Sequence, residues 1–151
     1  MAGDRKQDVG AKTLKHRSGW SSAGLLGADN KDLPRWLQAT EQLLRDFATL
    51  PDGWDSSGAK SIERHAIDAA MKRLCRIGRH DTRKPAVVPT NQGGSQIEWH
   101  TQGADLELEI TPHREIHMLY ANPQENVEEE LELGADLKPW DDLIAKVSSS
   151  Q

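Results

Sequence analysis

The hydrophobic period of this chain changes at Pro85, from the roughly 3.6 residues of a helix to the 2 of a strand, and that switch limits the fold more than any other feature. Before it, Leu33, Leu37, Thr40, Leu44 and Phe47 recur at helical spacing. They predict a helix over Asp32 to Leu50, with Asp32 as N-cap, Pro34 in the first turn and Pro51-Asp52-Gly53 as the stop. A second stripe, Ile62, Ala66, Ala70, Leu74 and Ile77 with Ile67 and Met71 beside it, predicts a helix over Ile62 to Ile77 closed by Gly78. Cys75 flanks this stripe and reads as a small core filler.

After Pro85 the pattern alternates. Val87-Val88 is a short first strand stopped by Pro89, and Asn91 to Gly94 is a turn. Gln96 to His100 puts Ile97 and Trp99 on one face, and Asp105 to Ile110 points Leu106, Leu108 and Ile110 inward. After a turn at Thr111 to Arg114, where His113 is expected to be exposed, Ile116, Met118 and Tyr120 give the last inward set. Hairpins in succession form an antiparallel meander. The acidic stretch Glu125 to Glu132 reads as a helical turn carrying Val127, Leu131 and Leu133, and Pro139 to Val147 as a last helix with Trp140, Leu143, Ile144 and Val147 on one side. The expected fold class is therefore α+β, with two N-terminal helices and a C-terminal helix on one face of a four-stranded antiparallel sheet. Trp36, Trp54 and Trp99 are the expected aromatic anchors, with Trp54, Trp99, Leu44, Leu74 and Leu108 buried together.

A chain of 151 residues has room for one domain with a substantial core. A mean hydropathy of −0.72 is polar for a packed chain, so part of the length is expected to lie outside the core. Residues 1–31 show neither period and read as a disordered tail, with an apolar island at Trp20, Leu25 and Leu26 that either docks loosely or folds onto a partner. The domain is then 32–147, with a frayed end at 148–151. The single cysteine rules out an internal disulfide, and there is neither a signal-peptide-like run nor a span-length apolar segment. The expected setting is the cytoplasm, without a membrane partner.

Charge is unevenly distributed. Residues 1–34 carry a balance of +2 and residues 35–84 one of +3, whereas residues 85–151 hold thirteen acids against three bases. The acidic half repels nucleic acid and attracts basic protein surfaces.

Two local signatures stand out. One is the inter-helix loop Leu50-Pro51-Asp52-Gly53-Trp54-Asp55-Ser56-Ser57-Gly58-Ala59; the other is Pro85-Ala86-Val87-Val88-Pro89-Thr90, then Gly93-Gly94, then Glu98-Trp99. Together they resemble a group of small uncharacterised bacterial proteins with a Gly-Trp-Asp-Gly-x-Gly-Ala loop followed by a Pro-Thr…Gly-Gly…Glu-Trp hairpin. The resemblance spans roughly residues 35–121, and Ser56 stands where the group has glycine. It implies accessory genes and mobile elements as the setting and brings no activity with it. Physically the loop reads as structural: Gly53 and Gly58 permit positive φ, Trp54 plugs the gap between helices and sheet, and Asp55 accepts nearby backbone N–H groups.

Two constellations could carry function. By strand parity the outward face of the meander gathers Gln96, Glu98, His100, Glu107, Glu109 and His117, a set suited to a basic partner, to a divalent metal or to acid–base work. None of the tight metal-site spacings accompanies it. Lys72, Arg76, Arg79 and Arg83 would line one face if the second helix ran on, which is the electrostatic footprint of phosphate binding. No phosphate-cradling loop, nucleophile elbow or helix-turn-helix pattern is present. The leading expectation is a non-catalytic interaction protein of the antitoxin, immunity or phage-accessory kind, binding a protein through its acidic surface and needing no cofactor. The alternatives are a nucleic-acid-binding regulator using the basic helix and a small metal-dependent enzyme using the sheet face.

Overall fold

The computed structural model describes residues 33–78, 81–134, 136 and 138–149. The readings made of residues 1–31, of Asp32 as an N-cap and of Arg79 lie outside the described residues.

Both helical stripes form helices, each starting later than expected: α1 (Arg35–Phe47) and α2 (Arg64–Ile77). Pro34 holds the N-cap position of α1 in an extended conformation, and the N–H of Leu37 is the donor that reaches back to its carbonyl at 3.0 Å. The buried positions are those of the stripes, Leu37, Thr40, Leu44 and Phe47 on α1 and Ala66, Ile67, Ala70, Met71, Leu74 and Ile77 on α2, together with Glu41 of α1, whose carboxylate is paired with Arg45 at 2.6 Å.

The alternating half forms β1 (Ala86–Pro89), β2 (Ser95–His100), β3 (Asp105–Ile110), β4 (Ile116–Asn122) and β5 (Val127–Glu132), joined in the order β1-β2-β3-β4-β5 with every pair antiparallel. A last helix, α3 (Lys138–Ser149), follows. The α+β class is as expected, but among the described residues the sheet has five strands rather than four. The stretch expected as a helical turn is β5. Its apolar residues Val127 and Leu131 are four apart, a spacing that fits either period, and its glutamates favour helix in isolation. The even-numbered residues of β4, however, have backbone groups left over from pairing with β3, and an extended β5 satisfies them. The turn between β4 and β5 is built by Asn122, whose Oδ1 accepts the N–H groups of Gln124 and Glu125, and by Asn126 at φ 55°. Nor is the C-terminus frayed from residue 148: α3 is helical through Ser149, whose hydroxyl donates to Ala145 O at 2.8 Å.

The core lies between the helices and one face of the sheet. Ile97 and Trp99 on β2, Leu106, Leu108 and Ile110 on β3, and Met118 and Tyr120 on β4 are buried, as are Leu37, Leu44, Ile67 and Leu74 on α1 and α2 and Trp140, Ile144 and Val147 on α3. Trp99 (1% exposed) and Trp140 (0%) pack edge to face, centroids 5.3 Å apart. The Trp99 indole also donates to Arg83 O at 2.8 Å, so burial costs it no hydrogen bond. Trp140 is thus an anchor that the expected core set omitted. Trp54 does not fill the gap assigned to it. It is half-buried and closes its own loop by donating to Lys60 O at 3.0 Å, while the half-buried Trp36 donates to Thr82 O at 3.2 Å.

Removing Trp99 opens a cavity at the centre of this packing. Trp99→Ala is expected to lower unfolding free energy by about 3–5 kcal/mol, measured by urea denaturation. A loss under about 1 kcal/mol, the level of an ordinary surface site, would contradict its central position.

Candidate functional site

The register places side chains on the outer face in rows running across the strands. One row is Val88, Gln96, Glu109, His117 and Glu132; the next is Ala86, Glu98, Glu107, Leu119 and Glu130; a third is His100, Asp105, Ala121 and Glu128. Residues of this parity remain partly or fully exposed while their neighbours of the other parity on β2 and β3 are buried, so no described element covers the face. Glu98, His100, Glu107, Glu109 and His117 are therefore brought together as sequence parity predicted. Parity alone would also have found Asp105. Glu128, Glu130 and Glu132 were missed because β5 was read as helical, although Asn122-Pro123 and Asn126 are turn signals that could have exposed the hairpin. Among the described residues seven carboxylates share the face, and no described strand contains a lysine or arginine.

Glu98 and Glu107 stand directly opposite each other, a like-charge pairing that antiparallel sheets disfavour. Each carboxylate has its own donor. His100 Nε2 lies 3.0 Å from Glu98 Oε2, and Gln96 Nε2 donates to Glu107 Oε2 at 3.0 Å. His100 Nδ1 is also 3.0 Å from Asp105 Oδ1. The hydrogen bonds to Glu98 and then Asp105 raise the imidazole's pKa above the ordinary 6.5. Both ring nitrogens are engaged by carboxylates, an arrangement that favours the protonated imidazole. His117 is 3.6 Å from Glu115 and stands between Glu109 and Glu132 in its row. Among the described residues, no three His, Cys, Asp or Glu side chains are grouped so as to hold a metal ion.

The basic set is dispersed. Lys72 is exposed on α2, and Arg76 is tied to Asp141 of α3 at 2.7 Å. The helix ends at Ile77, so Arg83 does not extend its face; its carbonyl instead receives the Trp99 indole. The Cys75 thiol is pushed up to about 11, mainly by burial and then by the Glu41 charge, and stays protonated at neutral pH.

The inter-helix loop is organised by its own backbone. Gly53 and Gly58 have φ of 78° and 93°, and Ser56 takes φ 62°, the left-handed region that glycine occupies without strain. Asp55 Oδ1 accepts the N–H groups of Ala59 at 2.9 Å and Ser57 at 2.8 Å, which hold its carboxyl below the usual range. The loop is bonded to the β1–β2 turn: Lys60 N–H donates to Asn91 O and Glu63 N–H to Gly93 O, both at 2.9 Å. A side chain at Gly94 would collide with the Ile110 carbonyl. The two sequence signatures are thus one structural unit at one end of the sheet.

Comparison with protein-family models, curated proteins and solved structures finds no match. No described helix is long and apolar enough to cross a membrane.

Because His100 is protonated more readily when folded, its contribution to stability is complete below pH 6.5 and fades as pH rises through the raised folded value. NMR titration should find His100 titrating above 6.5, and Glu98→Gln should lower its pKa more than Asp105→Asn does. An unchanged midpoint in Glu98→Gln would contradict the pairing.

Proposed function

We propose that this chain is a non-catalytic interaction protein that captures a basic protein partner on the outer face of its sheet. The observation that carries the reading is the open five-stranded face with seven carboxylates and no lysine or arginine on any described strand. Within the β2–β3 pair, and along β5, neighbouring carboxylates stand closer than a Debye length of about 8 Å, so the fields of each group add before salt screens them, while His117, Leu119 and Ala121 of β4 lie between the two groups. Such a field acts chiefly on encounter, raising the association rate of a basic partner more than its final affinity.

Leu119, Ala121 and Val88 stand among the charges on the same face and supply apolar contact once a partner has docked. The described groups suit docking better than turnover. His100 is held between two carboxylates and Cys75 is protonated, which leaves neither poised as a base or nucleophile. The resemblance to bacterial accessory proteins supports an antitoxin-, immunity- or phage-accessory-like role.

Glu98→Lys, Glu107→Lys and Glu109→Lys together should slow association with a basic partner about tenfold or more, with circular dichroism and melting unchanged in kind. Added salt should slow the wild-type chain toward the variant. A triple variant that associates at the wild-type rate would reduce the face to a solvated surface.

A further inference from the structure

The two edges of the sheet are built differently, and the register says how. At the β1 side, Thr90 N–H donates to Gly94 O at 3.0 Å, so Val88 with Gln96 and Ala86 with Glu98 are the hydrogen-bonded pairs. The backbone groups of β1 that face outward then belong to Val87 and Pro89, with Pro85 next in phase. Proline has no N–H to offer, and prolines at such positions keep an edge from pairing. At the β5 side, Leu133 N–H donates to Ile116 O at 2.7 Å, which makes Met118 with Leu131, Tyr120 with Glu129 and Asn122 with Val127 the bonded pairs. The N–H and C=O groups of Glu128, Glu130 and Glu132 therefore point away from the sheet. β5 contains no proline, and no described strand pairs with this edge.

We infer that the β5 edge is completed by an extended segment of a partner protein in which lysine or arginine alternates with apolar residues. This rests on the basic-partner reading above and specifies how the partner is held. The three residues whose backbone is free are also those whose carboxylates lie on the outer face. A strand added there would set every second side chain beside Glu128, Glu130 and Glu132, about 5.5 Å away between Cα atoms, where a cation is favoured. Its alternate side chains would fall on the inner side, against Leu131, which is 41% exposed, and Val127, with Glu129 between them. Main-chain hydrogen bonds supply affinity and the two alternating rows supply selection. A second copy of this chain is the wrong occupant, because pairing β5 with β5 sets glutamates against glutamates. The same acids that bar self-association select a basic strand.

The test uses the full chain and three synthetic peptides: one alternating lysine with valine, a block-ordered isomer of the same composition, and the alternating peptide N-methylated on the amides that would face β5. The alternating peptide should bind about tenfold or more tighter than the other two, the cost of losing several edge hydrogen bonds. Glu130→Pro should weaken it as strongly, because it deletes an outward N–H without touching the sheet's own ladder, whereas Glu130→Gln should retain most of the binding. Amide shifts on binding should centre on residues 127–132. If all three peptides bind equally and the triple lysine variant abolishes that binding, the edge inference is overturned and the face reading stands. If no peptide binds even at low salt, both fall. A chain that sediments as a dimer, and becomes monomeric in Glu130→Pro, would make a second copy the occupant and overturn the proposal.

Discussion

The pleat of β2, β3 and β4 divides the sheet into a dry face and a wet one, and the other elements are arranged around that division. Ile97, Trp99, Leu106, Leu108 and Met118 are buried because each stands two residues from the next buried neighbour on its strand. Slipping β3 by one residue would drive Glu107 and Glu109 beneath the helices and lift Leu106 and Leu108 into water. Burying one unpaired carboxylate costs more than the whole fold can spare. The acidic surface and the apolar core therefore specify one register between them. The turn reinforces it: Gly94 passes so close to the Ile110 carbonyl that no side chain fits, and the next residue, Ser95, donates its buried hydroxyl to Ala66 O on α2 at 2.9 Å.

That last contact shows how the helical and alternating halves become one body. Hydrophobic packing alone would leave α1 and α2 free to slide on the sheet, since apolar contact is not directional. The backbone bonds from Lys60 and Glu63 to the β1–β2 turn, and the indole N–H bonds from Trp36 and Trp99 to the carbonyls of Thr82 and Arg83, remove that freedom at both ends. Ser56 holds a left-handed conformation in the same loop without the ease glycine would give it. Asp55 compensates by drawing two N–H groups onto one oxygen.

Much of this was legible in the sequence. Leu37, Leu44, Ala70 and Leu74 declare their helices, and Leu106, Leu108 and Ile110 their strand, because each period is sustained over several turns of the pattern. β5 was not legible by periodicity: Val127 and Leu131 satisfy both periods, and the intervening glutamates carry no signal of what β4 lacks. Trp54 was misplaced for a related reason. A tryptophan in a Gly-rich loop can fill a core or close the loop, and only the position of the Lys60 carbonyl decides. The candidate face was legible as far as parity reached, to Glu98, His100, Glu107, Glu109 and His117, and ended where the missed strand began.

The acids on β5 have no part in the core, and that bears on why they are there. Glu128, Glu130 and Glu132 are exposed, as is Glu129 on the other side of the strand, and Leu131 is only partly covered. Replacing them with threonine or valine would improve strand propensity and relieve repulsion, each by a fraction of a kcal/mol. The same replacements would leave an uncharged, unguarded edge able to pair with any extended chain. At the opposite edge that hazard is met by Pro85 and Pro89, which bar every partner alike. Glutamates make a weaker barrier but a selective one, closed to a second acidic edge and open to a basic strand. A sheet that needed only protection could have used proline on both sides, and the asymmetry between its edges is what singles out β5.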